Sequence, residues 1–174
     1  MLHHLQQTGP DHANAGAVKP IAAVFYTLIV TSLTYGSLRA QEPGQEGSIE
    51  NAIRTVLRAQ QDAWNRGDID GFMNGYARST TTTFVSEDKV TRGWETVRDR
   101  YRKKYSDRAK MGNLTFLDLE ITPSSKDSAL AVGSWRLKRQ EDEPHGRFTL
   151  IFRLTNEGWR IVYDHTSAAP PVKS

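Results

Sequence analysis

Asp164 and His165 are the side chains of this sequence whose types suit proton transfer, and they are adjacent. A carboxylate or an imidazole can act as general acid or base once its surroundings tune its pKa. Both lie in a β-rich run, and successive residues of a strand point to opposite faces of a sheet. They cannot share a cavity unless the strand bulges, which limits any mechanism that uses both. Other chemistry is excluded more simply. The chain has no cysteine, so it offers no disulfide, thiol nucleophile or cysteine metal site. Of its five histidines, His3, His4 and His12 lie in an N-terminal extension. Only His145 and His165 remain for the folded part, too few for a histidine-rich metal centre. No Gly-rich phosphate loop, nucleophile elbow or metal-ligand spacing occurs. Neither a metal nor a cofactor is expected.

The element that must position Asp164 is a C-terminal hairpin, Gly146 to Ser167. It consists of two apolar and aromatic runs joined by Thr155-Asn156-Glu157-Gly158. Phe, Ile, Trp, Val and Tyr favour strands, and Asn-Glu-Gly favours a turn. A three-residue loop with Gly158 left-handed sets Phe148, Leu150, Phe152 and Leu154 on one face with Arg160, Val162, Asp164 and Thr166. The opposite face then carries Ile151, Trp159, Ile161, Tyr163 and His165. A two-residue loop would instead gather the large apolar residues, and His165, on one face. The first register is preferred.

Two further strands are expected upstream, Leu114 to Thr122 and Ala129 to Arg139, separated by a turn at Pro123 to Asp127. In the second, Leu130, Val132, Ser134 and Arg136 share one face. Ala131, Gly133, Trp135 and Leu137 share the other. Helices come first. Ser48 is an N-cap for a helix whose apolar positions are Ile49, Ile53, Val56, Leu57 and Trp64, and Gly67 closes it. Asp68 caps a short second helix with Ile69, Phe72, Met73 and Tyr76. Trp64 and Tyr76 read as core packing or, more sharply, as a cavity floor. A short strand, Thr81 to Ser86, and a turn at Glu87-Asp88 follow. Thr91 caps a third helix, Arg92 to about Ser106, with Trp94, Val97, Tyr101 and Tyr105 inward. Its basic face (Arg98, Arg100, Arg102, Lys103, Lys104) reads as solvated, with tyrosines rather than arginines turned in. Helices followed by an antiparallel meander make an α+β domain, a curved sheet wrapped around three N-terminal helices.

The 174 residues, with 23 Lys+Arg against 20 Asp+Glu, allow one domain with an appendage. A net charge of +3 is too weak to argue for a nucleic-acid partner, and none is expected. Ile21 to Leu33 is apolar, with Lys19 before it and Ala40 at a plausible cleavage position. Residues 1–40 therefore read as leader and signal peptide, with translation starting near Val18, and the mature protein as exported without stable membrane insertion. An uncleaved membrane anchor is the other reading. Residues 41–47 read as a linker, 48–169 as the domain and 170–174 as a tail.

Ala63-Trp64-Asn65-Arg66-Gly67-Asp68, Phe72, Tyr76, Phe84, Arg92-Gly93 and the ending Gly158 to Ser167 together resemble the nuclear transport factor 2-like superfamily, nearest its SnoaL-like group. The ending Trp159 to Pro170 is also similar to the calcium/calmodulin-dependent kinase association domain, an oligomerising hub whose pocket arginine matches Arg136. The resemblance implies a conical cavity between sheet and helices. Within it, Asp164, Arg136, Thr166 and Tyr101 are the polar candidates, and Trp64, Tyr76, Phe152 and Val162 the walls. Asp164 is the candidate catalytic group, or else an anchor paired with Arg136 or Arg160. Trp159, Tyr163, Trp135 and His165 are expected on the outer face as a homodimer interface. Three functions fit: binding of a small hydrophobic molecule, isomerase, cyclase or dehydratase chemistry through Asp164, or a non-enzymatic assembly module.

Overall fold

The computed structural model describes residues 43–170. The expected leader and signal peptide lie outside the described residues, as do the start of the linker and the end of the tail. Helix α1 (Pro43–Asn65) begins ahead of Ser48, so most of the expected linker is its first turn. Proline is well tolerated there, where its missing N–H has no helical partner to lose. The helix ends where Gly67 adopts a left-handed φ of 83°. Helix α2 (Ile69–Met73) follows, capped by Asp68, whose carboxylate accepts from the Gly71 N–H at 2.7 Å.

Strands β1 (Thr83–Ser86) and β2 (Lys89–Arg92) form a hairpin around Glu87-Asp88. Thr91 and Arg92 thus belong to a strand rather than to the helix start expected there. Helix α3 (Trp94–Lys104) begins after Gly93, and the short α4 (Arg108–Met111) leads into the sheet. Strands β3 (Asn113–Ser125), β4 (Ser128–Lys138), β5 (His145–Thr155) and β6 (Gly158–Thr166) are an antiparallel meander.

The sheet runs β2-β1-β6-β5-β4-β3, and β1 joins β6 in parallel, so it is mixed rather than purely antiparallel. The architecture is α+β: an unclosed, curved sheet with the helices against its concave face. Curvature has visible causes. The β3–β4 register slips between Leu117 and Glu120, with Asp118 at a left-handed φ of 52°. Opposite it, a Cβ on Gly133 would stand 2.6 Å from the Phe148 ring, so only glycine lets β4 bend there.

The final hairpin uses both registers weighed from the sequence. Near the turn the loop is two residues, so Phe152 pairs with Ile161 and Leu154 with Trp159. Beyond it Leu150 pairs with Asp164 and Phe148 with Thr166, as the longer loop requires. Val162 is the extra residue, a β-bulge between the halves. Trp159 and Ile161 therefore join Asp164 and Thr166 on the concave side, where Trp159 is buried in the core instead of lying at an outer interface. The bulge is fastened from outside the hairpin. The Ile161 N–H donates to Gly75 O at 2.8 Å, and the Ala77 N–H donates to Ile161 O at 2.9 Å.

Candidate functional site

A cavity of about 120 Å³ lies between the concave sheet and α1, α2 and α3. Its apolar wall is aromatic. Trp64 stands edge-on to Phe72 at 5.1 Å and to Tyr105 at 4.7 Å, and Tyr101 contacts both Phe72 and Phe84. Such edge-to-face packing is favourable beyond the area it buries, and it holds the rings in fixed orientations. Phe116, Trp135, Phe148 and Leu150 complete the sheet side.

Asp164 is 3 % exposed and has no ion-pair partner among the described residues. Two hydroxyls hold it instead. Tyr76 donates to Oδ2 at 2.6 Å, and Thr166 donates to Oδ1 at 2.6 Å. Burial pushes the carboxyl up from 3.8 to about 6, against the two hydrogen bonds and the more distant charges of His165 and Arg100. Burial also pushes the phenols of Tyr76 and Tyr101 well above their ordinary range, reinforced by the Asp164 charge, so both are neutral donors. The result is a carboxylate ionised at neutral pH and readily protonated below it, in an apolar chamber beside two neutral phenols.

Several expected site residues come together here: Trp64, Tyr76, Tyr101, Asp164 and Thr166 all line the cavity. Others do not. Arg136 lies on the convex side, half exposed, with Nη1 3.3 Å from Glu143. It cannot pair with Asp164, because alternation from the inward Trp135 and Leu137 turns it out. The two faces of β4 were grouped as expected, but inside and outside are exchanged. Trp135 accordingly lines the cavity, its indole N–H donating to Ser167 O at 3.0 Å, rather than an outer interface. Phe152 is fully buried in the core without lining the cavity, and Val162 is consumed by the bulge. His165 and Tyr163 do face outward, beside Thr149 and Ile151.

Arg100 and Lys104 also line the cavity, although their helix face reads as solvated. The signal was helical phase: Val97, Arg100 and Lys104 are spaced i, i+3, i+7, and Val97 is fully buried. Gln60 lies on the same inward stripe of α1 as Ile53, Leu57 and Trp64. It is buried, its amide donating to Phe72 O at 2.9 Å.

Residues 53–172 match the family model of the SnoaL-like domain. No curated protein matches the chain. Among solved structures, an NTF-2 like protein of unknown function from Shewanella oneidensis MR-1 is 38% identical with a TM-score of 0.66, the similarity covering 68% of this chain and 98% of that one. An NTF2-like superfamily protein from Salmonella enterica serovar Typhimurium is 19% identical with a TM-score of 0.58, covering 73% and 95%. A ketosteroid isomerase-like protein from Erwinia carotovora atroseptica SCRI1043 is 15% identical with a TM-score of 0.57, covering 70% and 96%. The last two likenesses carry the fold alone.

Proposed function

Because the chain belongs to the SnoaL-like domain family, we propose that its cavity binds an apolar small molecule and that Asp164 moves a proton on it. The observation that carries this reading is the state of Asp164: buried in an apolar chamber, held by two hydroxyls, and paired with no cation among the described residues. A structural anchor would be expected to sit in an ion pair, since an unpaired buried charge is costly. Keeping a carboxyl in such a place without a partner is the arrangement that acid–base chemistry uses.

The chemistry follows from the protonation states. Ionised Asp164 takes a proton from a carbon next to a carbonyl, becomes neutral, and returns the proton at a second carbon or at the first. The neutral phenol of Tyr101 is a donor for the carbonyl oxygen as negative charge develops there. Isomerisation and dehydration share this step, and a ketosteroid isomerase-like protein is among the structures of similar fold. An assembly module alone would be expected to fill the cone, whereas this one is open and carries polar groups.

The same reading takes the protein to be exported, on the strength of residues 21–40. It takes the working form to be a homodimer through the convex sheet face, where Leu130, Ile151 and Tyr163 stand in register across β4, β5 and β6.

The test uses 2-tetralone, an apolar bicyclic ketone with exchangeable protons next to its carbonyl. Binding is followed by calorimetry, and exchange in D2O by NMR. Wild type is expected to bind the ketone and accelerate exchange, with a rate that rises as pH passes about 6. Asp164→Asn is expected to bind it but lose at least about 100-fold of the acceleration, the lower range for a general base. Equal acceleration by both proteins would remove Asp164 from the chemistry, and absence of saturable binding would remove the cavity.

A further inference from the structure

We infer that the cavity mouth is an anion subsite, and that the ligand is an apolar molecule carrying a carboxylate held by Arg100 and Lys104. This rests on the cavity being the ligand site, and it adds the class of ligand. Three observations carry it. Arg100 Nη1 is buried and has no hydrogen-bond partner among the described residues. No ion pair among the described residues includes Arg100 or Lys104. Both residues nevertheless line the cavity, one helical turn apart on α3.

A guanidinium has five donors and no way to neutralise itself, so a buried N–H left unmatched is costly unless something else completes it. Arg100 is held in place by stacking, with its guanidinium carbon 4.7 Å from the Phe84 ring centroid. Lys104 lies over the Tyr105 ring, its ammonium 5.4 Å from the centroid. Arg100 therefore stands on the aromatic wall of the chamber, and Lys104 stands at its exposed rim against Tyr105. A planar carboxylate suits a guanidinium fork with a point charge beside it.

The other charges at the site limit the ligand's orientation. The exposed lining residues Glu87, Lys104, Ser167 and Ala168 mark the mouth, whereas Asp164 is at the buried end. A ligand carboxylate placed near Asp164 would meet a like charge, so it must remain at the Arg100 end. Glu87, at the mouth, is a second like charge that the ligand carboxylate must avoid. The reacting carbonyl then reaches inward to Asp164, Tyr76 and Tyr101. Charge at one end and a carbonyl at the other define an oxo-acid with an apolar body.

The experiment compares 2-naphthoate with its neutral amide, 2-naphthamide, by calorimetry at pH 8, where Asp164 is ionised. Wild type is expected to bind the carboxylate at least ten-fold more tightly, and the preference should shrink between 0.05 and 0.5 M salt as a charge interaction does. Arg100→Gln is expected to abolish most of the preference, weakening 2-naphthoate far more than 2-naphthamide. Arg100→Lys should restore part of it, and Lys104→Gln should reduce it less. Thermal melting of each variant checks that the fold is kept. Equal affinity of wild type for the two compounds overturns the anion subsite and leaves the Asp164 reading standing, because the amide still reports the cavity. A preference unchanged in Arg100→Gln overturns it too. If neither compound binds, the cavity reading and this inference fail together.

Discussion

Replacing Asp164 by Asn should remove a specific pH dependence from the stability of this protein. The folded carboxyl rises from 3.8 to about 6 because burial disfavours its charge. The unfolded chain titrates near the ordinary value, about 3.9. A group whose folded pKa lies above its unfolded one contributes stability that is fully present below the unfolded value. That contribution is lost as pH rises through the folded value. The window here runs from about pH 4 to about pH 6. A rise of about two pKa units at about 1.36 kcal/mol each makes the loss about 3 kcal/mol. Asn has nearly the same shape, can still accept from one of the two hydroxyls, and does not titrate. The other ionisable groups are common to both proteins, so the difference between them isolates Asp164. The assay is urea unfolding of wild type and Asp164→Asn at half-unit steps from pH 4 to pH 8. Relative to the variant, wild type is expected to lose about 3 kcal/mol between pH 4 and pH 7 and to level off above that. Parallel profiles would refute the reasoning, since they would mean that Asp164 titrates alike folded and unfolded.

The remaining expectations concern the second hydroxyl, the convex face and the N-terminus. Tyr76→Phe removes one of two short donors to the carboxylate, which costs about 1.5–3 kcal/mol for a bond to a charged group. The Asp164 midpoint, followed by carboxyl NMR, should therefore move above 6, and an unchanged or lower midpoint would count against the network. Ile151→Asp places a charge in the centre of the convex face, where Ile151 is 37% exposed beside Leu130 and Tyr163. Light scattering should show a dimer for wild type and a monomer for the variant, and a monomeric wild type would discard the interface. Intact mass of the native protein should begin near Gln41, and a species retaining Met1 or Val18 in the membrane fraction would discard cleavage.

Much of the architecture was legible in the residues, because hydrophobic periodicity and turn chemistry act locally. Gly67, Asp68 and the Glu87-Asp88 turn stand where their conformational preferences put them. The four meander strands follow from β-branched and aromatic runs. The part of the aromatic floor made by Trp64 and Tyr101 is likewise a matter of helical phase, whereas Tyr76, expected on the second helix, lies beyond the end of α2 and is set by a bridge to Ile161. The bulge at Val162 was not legible. It depends on Gly75 and Ala77 hydrogen-bonding to Ile161 from a distant part of the chain, and no local signal in the hairpin reports that contact. Through it Asp164 and Trp159 both face inward, which neither uniform register allows. The orientation of β4 was equally a tertiary matter. Alternation sorts its residues into two sets, but the bend at Gly133 and the packing of Phe148 against Phe116 decide which set is concave. That choice took Arg136 away from Asp164 and brought Trp135 in. Arg100, assigned to solvent by its charge, was turned to the cavity by a helix whose phase is set by Val97. The sequence alone determined which side chains could do chemistry, and long-range packing determined which of them meet, because a strand's faces acquire an inside only when something closes over one of them.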